Sequence, residues 1–383
     1  MRYHDTLYLM KFKRKQTIEA ELSPKRVLVI YGPRRVGKTT MLESYLDKQN
    51  ERKIFYSSGD DANLRRIIES EERNRILEFV RPYDIIAIDE AQFIPSIGLG
   101  AKMMIDALPE KNIILTGSSS FDLSNKIGEP LTGRHFTLVL LPLAQGEMEG
   151  SRFELNNSLE DFLIYGSYPE ILSENNSDKR TKKLIELITS YLFKDALALE
   201  AVRSPDTLLD IVKCLAFQIG GEVSINEIAM TAKTDTKTTA KYLDLLEKMF
   251  VIKRVRGFSR NLRNEITQKA KYYFLDNGIR NAVISQFNPL HLRNDIGALW
   301  ENFVFMELFK KSNIEGKFDN YYFWRTHTGQ EIDIIRERNG ALEPIECKWS
   351  DNHSTKLPSA WQKAYGNKSL TVITKENYLD FLL

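Results

Sequence analysis

A glycine-bracketed turn between an apolar run and a helical pattern constrains the fold of this chain most. Residues 32–39 read G-P-R-R-V-G-K-T and directly follow the β-branched run Arg26–Tyr31. Gly32 and Gly37 permit a loop whose backbone N–H groups point inward, and a helix that begins at Lys38 adds the positive end of its dipole. A strand, a glycine-rich turn and a helix start in this order predict an α/β sheet with a site for the phosphates of a nucleotide.

Each side chain of the turn has a distinct expected role. Lys38 is expected to pair with the β- and γ-phosphates of ATP, and the hydroxyl of Thr39 to bind Mg²⁺. An eight-residue pattern can arise by chance, but the strand before it and the helical run Met41–Leu46 after it argue against chance. The residues predicted to bind the nucleotide here are Gly32, Pro33, Arg34, Arg35, Val36, Gly37, Lys38, Thr39 and Thr40.

An apolar strand that ends in two carboxylates supports this prediction. The run Ile85–Asp89 is followed by Glu90, which is the Walker B arrangement. Asp89 is expected to hold Mg²⁺ through water, and Glu90 to orient or deprotonate the attacking water. Two carboxylates at a strand end can also form a solvated turn, but the phosphate-binding turn about fifty residues upstream favours catalysis.

Two further positions are candidates for contact with the nucleotide. The predicted third strand, Asn112–Thr116, ends in a serine-rich stretch, so Thr116 or Ser118 is a candidate sensor of the γ-phosphate, with a plain polar loop as the alternative. Arg134 precedes the apolar run 136–141. It is a candidate arginine finger for a neighbouring subunit, where such a residue accelerates hydrolysis by roughly 10³–10⁵. A surface arginine is the alternative.

The middle of the chain has the pattern of a winged helix and an excess of positive charge. Residues 233–271 contain eleven Lys/Arg and four Asp/Glu, a net charge of +7 in a chain whose total is +2. Such a patch attracts the phosphates of DNA. Winged helices also serve as protein-contact modules or as lids of AAA+ ATPases, and these alternatives stay open. The predicted helices and strands are Thr207–Ile219, Ser224–Ala232, Lys237–Met249, 250–255 and 271–275.

Within this pattern the expected recognition helix is Lys237–Met249, and the expected wing is the loop 257–266. The wing region interleaves arginines with Phe258 and Asn261, which suits contact with a groove or a phosphate backbone. The arginines in question are Arg254, Arg256, Arg260 and Arg263.

The last block carries a second set of residues typical of catalysis. Asp333 lies on a predicted strand, and Glu346 and Lys348 lie two residues apart on the next strand, so they share a face. An Asp followed about a dozen residues later by Glu-x-Lys is typical of PD-(D/E)xK nucleases, in which carboxylates bind Mg²⁺ and the lysine stabilises developing charge. Glu301, on a predicted helix, is the candidate third metal ligand beside Asp333 and Glu346. The bare pattern is weak, so nuclease chemistry, DNA binding without cutting and a structural relic all stay open.

The motifs of the first block are similar to those of a known group. The block from about 15 to 150 resembles the AAA-type ATPases of archaea and bacteria grouped with the STAND-like branch. The segments 32–39, Ile88–Gln92 and Leu115–Ser119 carry the resemblance. It implies binding and hydrolysis of ATP.

The order of motifs over nearly the whole chain resembles a family that pairs an AAA_14-type ATPase with a DUF4143-type C-terminal region. Trp324–Thr326, Gly329–Asp333 and Glu346–Lys348 carry this resemblance, which implies a nuclease-like fold. Gly166–Pro169 resembles the G-x-P-type motif of the STAND-like branch with one extra residue, which implies that Pro169 lies near the adenine.

Together these features predict an α/β protein that acts on DNA. The expected function is an ATP-binding and ATP-hydrolysing AAA+-type ATPase acting on DNA, branched DNA included, with Mg²⁺-dependent endonuclease activity. The alternative is a nucleotide-dependent switch or DNA-binding regulator with an inactive nuclease-like domain. The predicted regions are a P-loop AAA+-like core with a parallel sheet over 1–150, a helical lid over 151–200, a winged helix over 201–290 and an α/β restriction-endonuclease-like domain over 291–383.

Composition adds expectations about assembly and compartment. Two cysteines suggest neither a disulfide framework nor a zinc site, so a reducing cytoplasm is expected. No run approaches the roughly 20 apolar residues of a membrane span, so no membrane contact is expected. A homo-oligomer is expected, because an arginine finger acts on a neighbouring subunit.

Overall fold

The computed structural model describes residues 11–117, 128, 130–189, 204–259, 269–350, 356–366 and 369–383. Within these residues the chain forms two compact units. The first unit consists of Arg14–Leu141 and Lys248–Phe250, and the second consists of the rest of the described chain. None of the described helices is both long and apolar enough to cross a membrane.

Strands and helices alternate in the first unit and are mixed in the second. The strands β1 to β14 are Lys11–Phe12, Val27–Tyr31, Ile54–Ser58, Ile85–Asp89, Asn112–Gly117, His135–Val139, Met148–Glu149, Glu222–Val223, Ile252–Gly257, Ala270–Phe274, Asn320–Arg325, Glu331–Arg338, Ala341–Cys347 and Thr371–Ile373. The α-helices α1 to α16 are Ile18–Glu21, Lys38–Leu46, Ala62–Glu69, Arg73–Val80, Ile97–Ala107, Arg152–Asn157, Leu159–Tyr165, Pro169–Leu172, Ser177–Thr189, Pro205–Phe217, Ile225–Thr231, Thr236–Lys248, Asn277–Val283, Ile296–Ile314, Ser359–Tyr365 and Tyr378–Leu382.

The sheet of the first unit has five parallel strands in the order β3-β4-β5-β2-β6. The apolar runs of β2 and β4 are buried along their full length, as is usual for parallel strands covered on both faces. The prediction of an α/β fold with a parallel sheet is therefore confirmed. Because β5 lies between β2 and β4, the carboxyl ends of these three strands meet at one edge of the sheet, where α2 begins after β2.

The second unit contains a mixed seven-stranded sheet in the order β14-β13-β12-β11-β9-β10-β8. Residues 204–274 form α10, β8, α11, α12, β9 and β10 in that order, which is the order expected of a winged helix. Strand β9 pairs in parallel with β11, through the partners Tyr322–Arg256 and Phe323–Gly257. The strand that would flank a free wing is therefore an interior strand, hydrogen-bonded on both sides. The domain boundaries and the winged-helix assignment stay predictions.

Candidate functional site

The turn between β2 and α2 has a tightly constrained backbone. Gly32 has a φ of 153° and Gly37 a φ of 94°, and a Cβ atom on Gly32 would lie 2.0 Å from the carbonyl oxygen of Leu140. Arg35, between the two glycines, has a φ of 59°, a region that costs a non-glycine residue about 1–3 kcal/mol. The loop is therefore held in one shape, with the left-handed residues that concave anion-binding loops use.

Lys38 lies inside this turn and is only 5% exposed. Its Nζ atom donates to the carbonyl oxygens of Gly32 and Pro33, at 2.9 and 2.8 Å. A buried ammonium needs such acceptors, and they hold the charge where phosphate oxygens would compete for it. Arg14, which the sequence analysis did not single out, donates from Nη2 to the carbonyl of Val36 at 2.6 Å and so supports the loop.

Side-chain hydrogen bonds join Thr39, Asp89 and Thr116 at the strand ends. Thr39 Oγ1 donates to Asp89 Oδ2 at 2.7 Å, and Thr116 Oγ1 donates to Asp89 Oδ1. The structure thus brings together Thr39 and Asp89, the two predicted Mg²⁺ ligands of the nucleotide site. Thr116 is fully buried and orients Asp89, so its role as a γ-phosphate sensor stays a prediction. Ser118 lies outside the described residues.

Glu90 is fixed by its backbone and by a neighbour along the chain. It has a φ of 48°, and its Oε2 atom accepts a hydrogen bond from Gln92 Nε2. A Cβ atom on Gly59 would lie 2.3 Å from the Glu90 carbonyl oxygen, so the chain after β3 passes close to this turn. Sequence reasoning gave Gln92 no role, although its place two residues after Glu90 in the Ile88–Gln92 motif was an available signal.

Arg134 and Pro169 are placed by local contacts. Arg134 Nε pairs with Asp106 Oδ1 at 2.6 Å, and its side chain is 41% exposed. Pro169 is the first residue of α8, and the N–H of Ser167 just before it donates to Asp276 Oδ2 at 2.7 Å. The arginine-finger role and the adenine contact both stay predictions.

In the second unit, Asp333 and Glu346 lie on the adjacent strands β12 and β13 and are buried. The N–H of Cys347 donates to Asp333 Oδ2 at 2.8 Å, and Lys348 Nζ donates to Glu346 Oε1 at 2.7 Å. Burial raises the pKa of both carboxyls, and the charge of Asp333 raises that of Glu346 further. The structure therefore brings together the predicted residues Asp333, Glu346 and Lys348.

Glu301, on α14, faces a buried lysine that the sequence analysis missed. Glu301 Oε1 accepts hydrogen bonds from Lys271 Nζ at 2.9 Å and from the hydroxyl of Tyr273 at 2.6 Å. Burial raises the pKa of Glu301 to about 7, against the opposing effect of the Lys271 charge. Lys271 is 5% exposed. Burial lowers its pKa, but the charges of Glu301 and then Asp333 raise it above its ordinary value. A lysine within an apolar strand run was the available signal.

Lysines pair with two of the three carboxylates that were predicted to bind a divalent metal ion. Among the described side chains there is no group of three or more His, Cys, Asp or Glu residues that could hold a metal ion. Glu301 Oε1 is occupied by two donors, and a Cβ atom on Gly220 would lie 3.2 Å from Glu301 Oε2. Lysines pair with Glu301 and Glu346, and the role of these residues and Asp333 as ligands of one ion stays a prediction.

The basic residues of the middle block divide into exposed and paired side chains. Lys233, Lys237 and Lys241 are exposed before and along the first half of α12. Arg254, on β9, instead pairs with Glu247 through Nε and Oε2 at 3.4 Å. The exposed lysines are therefore better placed to meet an external phosphate than Arg254 is.

The expected wing differs from its prediction at Phe258. Its ring lies 5.3 Å from that of Tyr322, 5.7 Å from that of Trp361 and 5.2 Å from that of Tyr365, centroid to centroid. Phe258 therefore belongs to an aromatic core rather than to a DNA-contacting loop. The wing residues outside the described chain are Arg260, Asn261 and Arg263.

Three family models match successive parts of the chain. Residues 24–149 match a model described as AAA domain, AAA_14. Residues 156–290 and 296–380 match two domains of unknown function, DUF8612 and DUF4143. The AAA match agrees with the geometry of the turn, so the prediction of a P-loop nucleotide-binding domain of the AAA type is supported for residues 24–149.

Relatives and solved structures give less detail. The chain is 25% identical to an uncharacterized protein of Methanocaldococcus jannaschii over 93% of this chain and 84% of that one. It is also 25% identical to an uncharacterized protein of Haemophilus influenzae, over 82% of this chain and 80% of that one. AMPPCP-bound DnaA from Aquifex aeolicus is 18% identical, with a TM-score of 0.29, over 58% of this chain and 82% of that one.

Proposed function

We propose that the chain binds ATP with Mg²⁺ and hydrolyses it at the turn between β2 and α2. The observation that carries the proposal is the 2.7 Å hydrogen bond between Thr39 Oγ1 and Asp89 Oδ2, beside the buried ammonium of Lys38. Hydroxyl and carboxylate oxygens are the hard ligands that Mg²⁺ prefers. The match of residues 24–149 to an AAA domain supports the same chemistry.

The residues of the turn and of the strand ends have different roles in binding and hydrolysis. Lys38 would exchange its two loop carbonyls for phosphate oxygens, and Thr39 and Asp89 would hold Mg²⁺. When bound, the ion neutralises charge that develops on the phosphates. Glu90 would accept a proton from the attacking water, and Gln92 holds the Glu90 side chain in place.

Substitutions in this site test the proposal. Lys38→Ala is expected to weaken ATP binding by about tenfold or more and to abolish turnover, because a charged donor to phosphate is lost. Glu90→Gln is expected to retain binding and to lose about 10²–10⁴ in kcat, because the base is lost. Calorimetry and phosphate release measure the two effects, with the exposed Lys48→Ala as control. Parental affinity and turnover in Lys38→Ala would contradict the proposal.

We infer in addition that the middle block binds DNA through its phosphates. The exposed Lys233, Lys237 and Lys241 and the exposed Arg256 support this inference, as does the winged-helix order of residues 204–274. Branched DNA as the ligand is a proposal that depends on this one. Assembly into homo-oligomers is a separate proposal, which depends on Arg134 acting on a neighbouring subunit.

Charge reversal tests DNA binding. Each lost phosphate contact lowers the slope of log K against log salt by about 0.9, so Lys237→Glu with Lys241→Glu should lower it by about 2. Fluorescence anisotropy at several salt concentrations measures the slope. Lys179→Glu with Lys182→Glu, exposed on α9, makes the same charge change as control. Equal slopes for both double variants argue against this surface. ATP turnover that DNA leaves unchanged favours the alternative, a nucleotide-dependent switch.

For the C-terminal region, we favour a nuclease-like domain without metal-dependent cutting over an active endonuclease. The ion pairs of Lys348 with Glu346 and of Lys271 with Glu301 support this choice. Linear, single-stranded and branched DNA with Mg²⁺ or Mn²⁺ should stay intact with the parent protein and with Lys348→Ala. Cutting by the parent that disappears in Lys348→Ala would restore the endonuclease.

A further inference from the structure

We propose that Lys271 takes the place of a divalent cation beside Glu301 and Asp333, so that this site binds no metal ion while the lysine is present. The inference goes beyond nucleotide hydrolysis. It rests on the proposal that the C-terminal region does not cut DNA, and it gives a physical reason for the absence of cutting. The three side chains come from β10, α14 and β12.

The lysine is enclosed on several sides. Its Nζ atom lies 2.9 Å from Glu301 Oε1, and the two side chains are 6% and 14% exposed. The hydroxyl of Tyr273 donates to the same oxygen at 2.6 Å. The ring of Phe323 lies on another side, with its centroid 5.6 Å from Nζ. An ammonium this deeply buried stays only where fixed acceptors compensate its lost hydration.

Two lysines offset the charges of two of the three carboxylates in the cluster. Asp333 and Glu346 are buried and Glu301 is largely so, and Lys271 and Lys348 pair with Glu301 and Glu346. A divalent ion bound to Glu301 Oε1 would stand within about 5 Å of Lys271 Nζ, because Nζ lies 2.9 Å from that oxygen. Like charges at that separation repel strongly in a buried site. A divalent metal ion and the ammonium of Lys271 therefore exclude each other. The lysine has the advantage, because it is part of the chain and is always present.

The position of Lys271 explains why the sequence motif of Asp333, Glu346 and Lys348 can be complete although the site binds no metal ion. Lys271 precedes Asp333 by more than sixty positions in the sequence, and β9 and β11 lie between their strands in the sheet. Lys271 reaches the cluster through Glu301, because α14 packs against β10. Nothing within the motif itself reveals the substitute cation.

Removal of the lysine should open a metal site. Mn²⁺ binding to the nucleotide-free full chain is measured by electron paramagnetic resonance for the parent, for Lys271→Met and for Lys271→Met with Asp333→Asn. Lys271→Met is expected to gain one site at least about tenfold tighter than any in the parent, and Asp333→Asn should abolish it. Lys269→Met, exposed two positions away, is the control and should behave as the parent.

Thermal unfolding gives a second readout. Lys271→Met leaves Glu301 buried without its cation, so its Tm should fall, and Mn²⁺ should restore part of the loss in this variant but not in the control. Failure of Mn²⁺ to bind to folded Lys271→Met overturns the inference.

The parent protein supplies the deciding comparison if Lys271→Met does not fold. Mn²⁺ binding by the parent that Asp333→Asn abolishes would show that metal enters beside the lysine and would overturn the inference. Binding that Asp333→Asn leaves unchanged supports it. DNA cutting is scored separately, so a metal-binding but non-cutting parent refutes the inference and spares the proposed function.

Discussion

At the scale of single residues, Thr116 controls the position of a carboxylate in the nucleotide site. Its hydroxyl donates to Asp89 Oδ1 and accepts a hydrogen bond from the N–H of Glu90 at 3.1 Å. A single buried side chain therefore fixes both acidic residues that follow β4. Its position on β5 beside β4 makes this contact possible.

Thr116→Val should lower kcat for ATP hydrolysis by about 10–100-fold while nucleotide affinity changes little. The reason is that a hydrogen bond to a charged group contributes about 1.5–3 kcal/mol and here positions Asp89 for the reaction. Steady-state phosphate release and calorimetry measure the two quantities. Thr137→Val, exposed on β6, is the matched control. An unchanged kcat would show that Asp89 needs no such support.

Gly166→Ala should destabilise the second unit by on the order of 3 kcal/mol. Gly166 has a φ of 76°, and an added Cβ atom would lie 1.9 Å from Oδ1 of the fully buried Asp276. Strain and collision at a packed position both act against folding. Urea unfolding measures the change. Gly297→Ala, where the added atom meets nothing within 4 Å, should have a small effect, and equal losses would argue against the collision.

The two sites differ in how much of them the sequence revealed. Lys38, Thr39 and Asp89 were predictable because a phosphate loop is a local structure, in which spacing dictates geometry. Lys271 was not, because its partner Glu301 lies thirty positions away and the packing of α14 against β10 decides the contact. Gly32 and Gly37 were predicted to shape the loop because glycine adopts backbone conformations that other residues avoid. The close approach of Leu140 to Gly32 is visible only in three dimensions.

At the scale of elements, the sequence predicted the strands themselves better than it predicted which strands pair with each other. The apolar runs of β2, β4 and β5 predicted a parallel sheet, and the structure has one. The pairing of β9 with β11 was not foreseen, because alternation along a strand identifies its faces but not the strand beside it. Phe258, expected in a wing, packs instead against Trp361.

Asp319 connects α14 to β12 and should make stability depend on pH. Its carboxylate accepts hydrogen bonds from Ser312 Oγ at 2.5 Å and from Arg338 Nε at 2.6 Å. The Arg338 hydrogen bond is the main reason that the pKa of Asp319 falls to about 2. A lowered pKa gives stability that is complete above the unfolded-state value near 4 and is lost as pH falls toward 2.

The free energy of unfolding of the parent should therefore exceed that of Asp319→Asn at pH 7, and the difference should shrink between pH 4 and pH 2. Urea titrations at both ends of that range measure it. Asp380→Asn removes an ion pair whose side chains are 60% and 59% exposed, so its effect should be small at any pH. A pH-independent difference for Asp319→Asn would mean that the ion pair contributes nothing.

At the scale of the whole molecule, the division into two units predicts where a nucleotide stabilises the chain. A ligand at 100 times its Kd stabilises the state that binds it by about 2.7 kcal/mol. Hydrogen exchange with a non-hydrolysable ATP analogue should slow in β2, β4 and β5 of the first unit. Lys38→Ala should show less slowing at the same concentration of the analogue. Slowing confined to the seven-stranded sheet would place the nucleotide elsewhere.

The parallel pairing of β9 with β11 has a consequence for anyone who would divide the chain. A cut in the chain between β10 and β11 would place β9 in one fragment and its hydrogen-bonded neighbour β11 in the other. Each fragment would then carry a strand with unpaired amide and carbonyl groups along one edge. Such rows recruit strands from other molecules. Each fragment alone should therefore aggregate. The two fragments expressed together should reassemble through the pairing of β9 with β11.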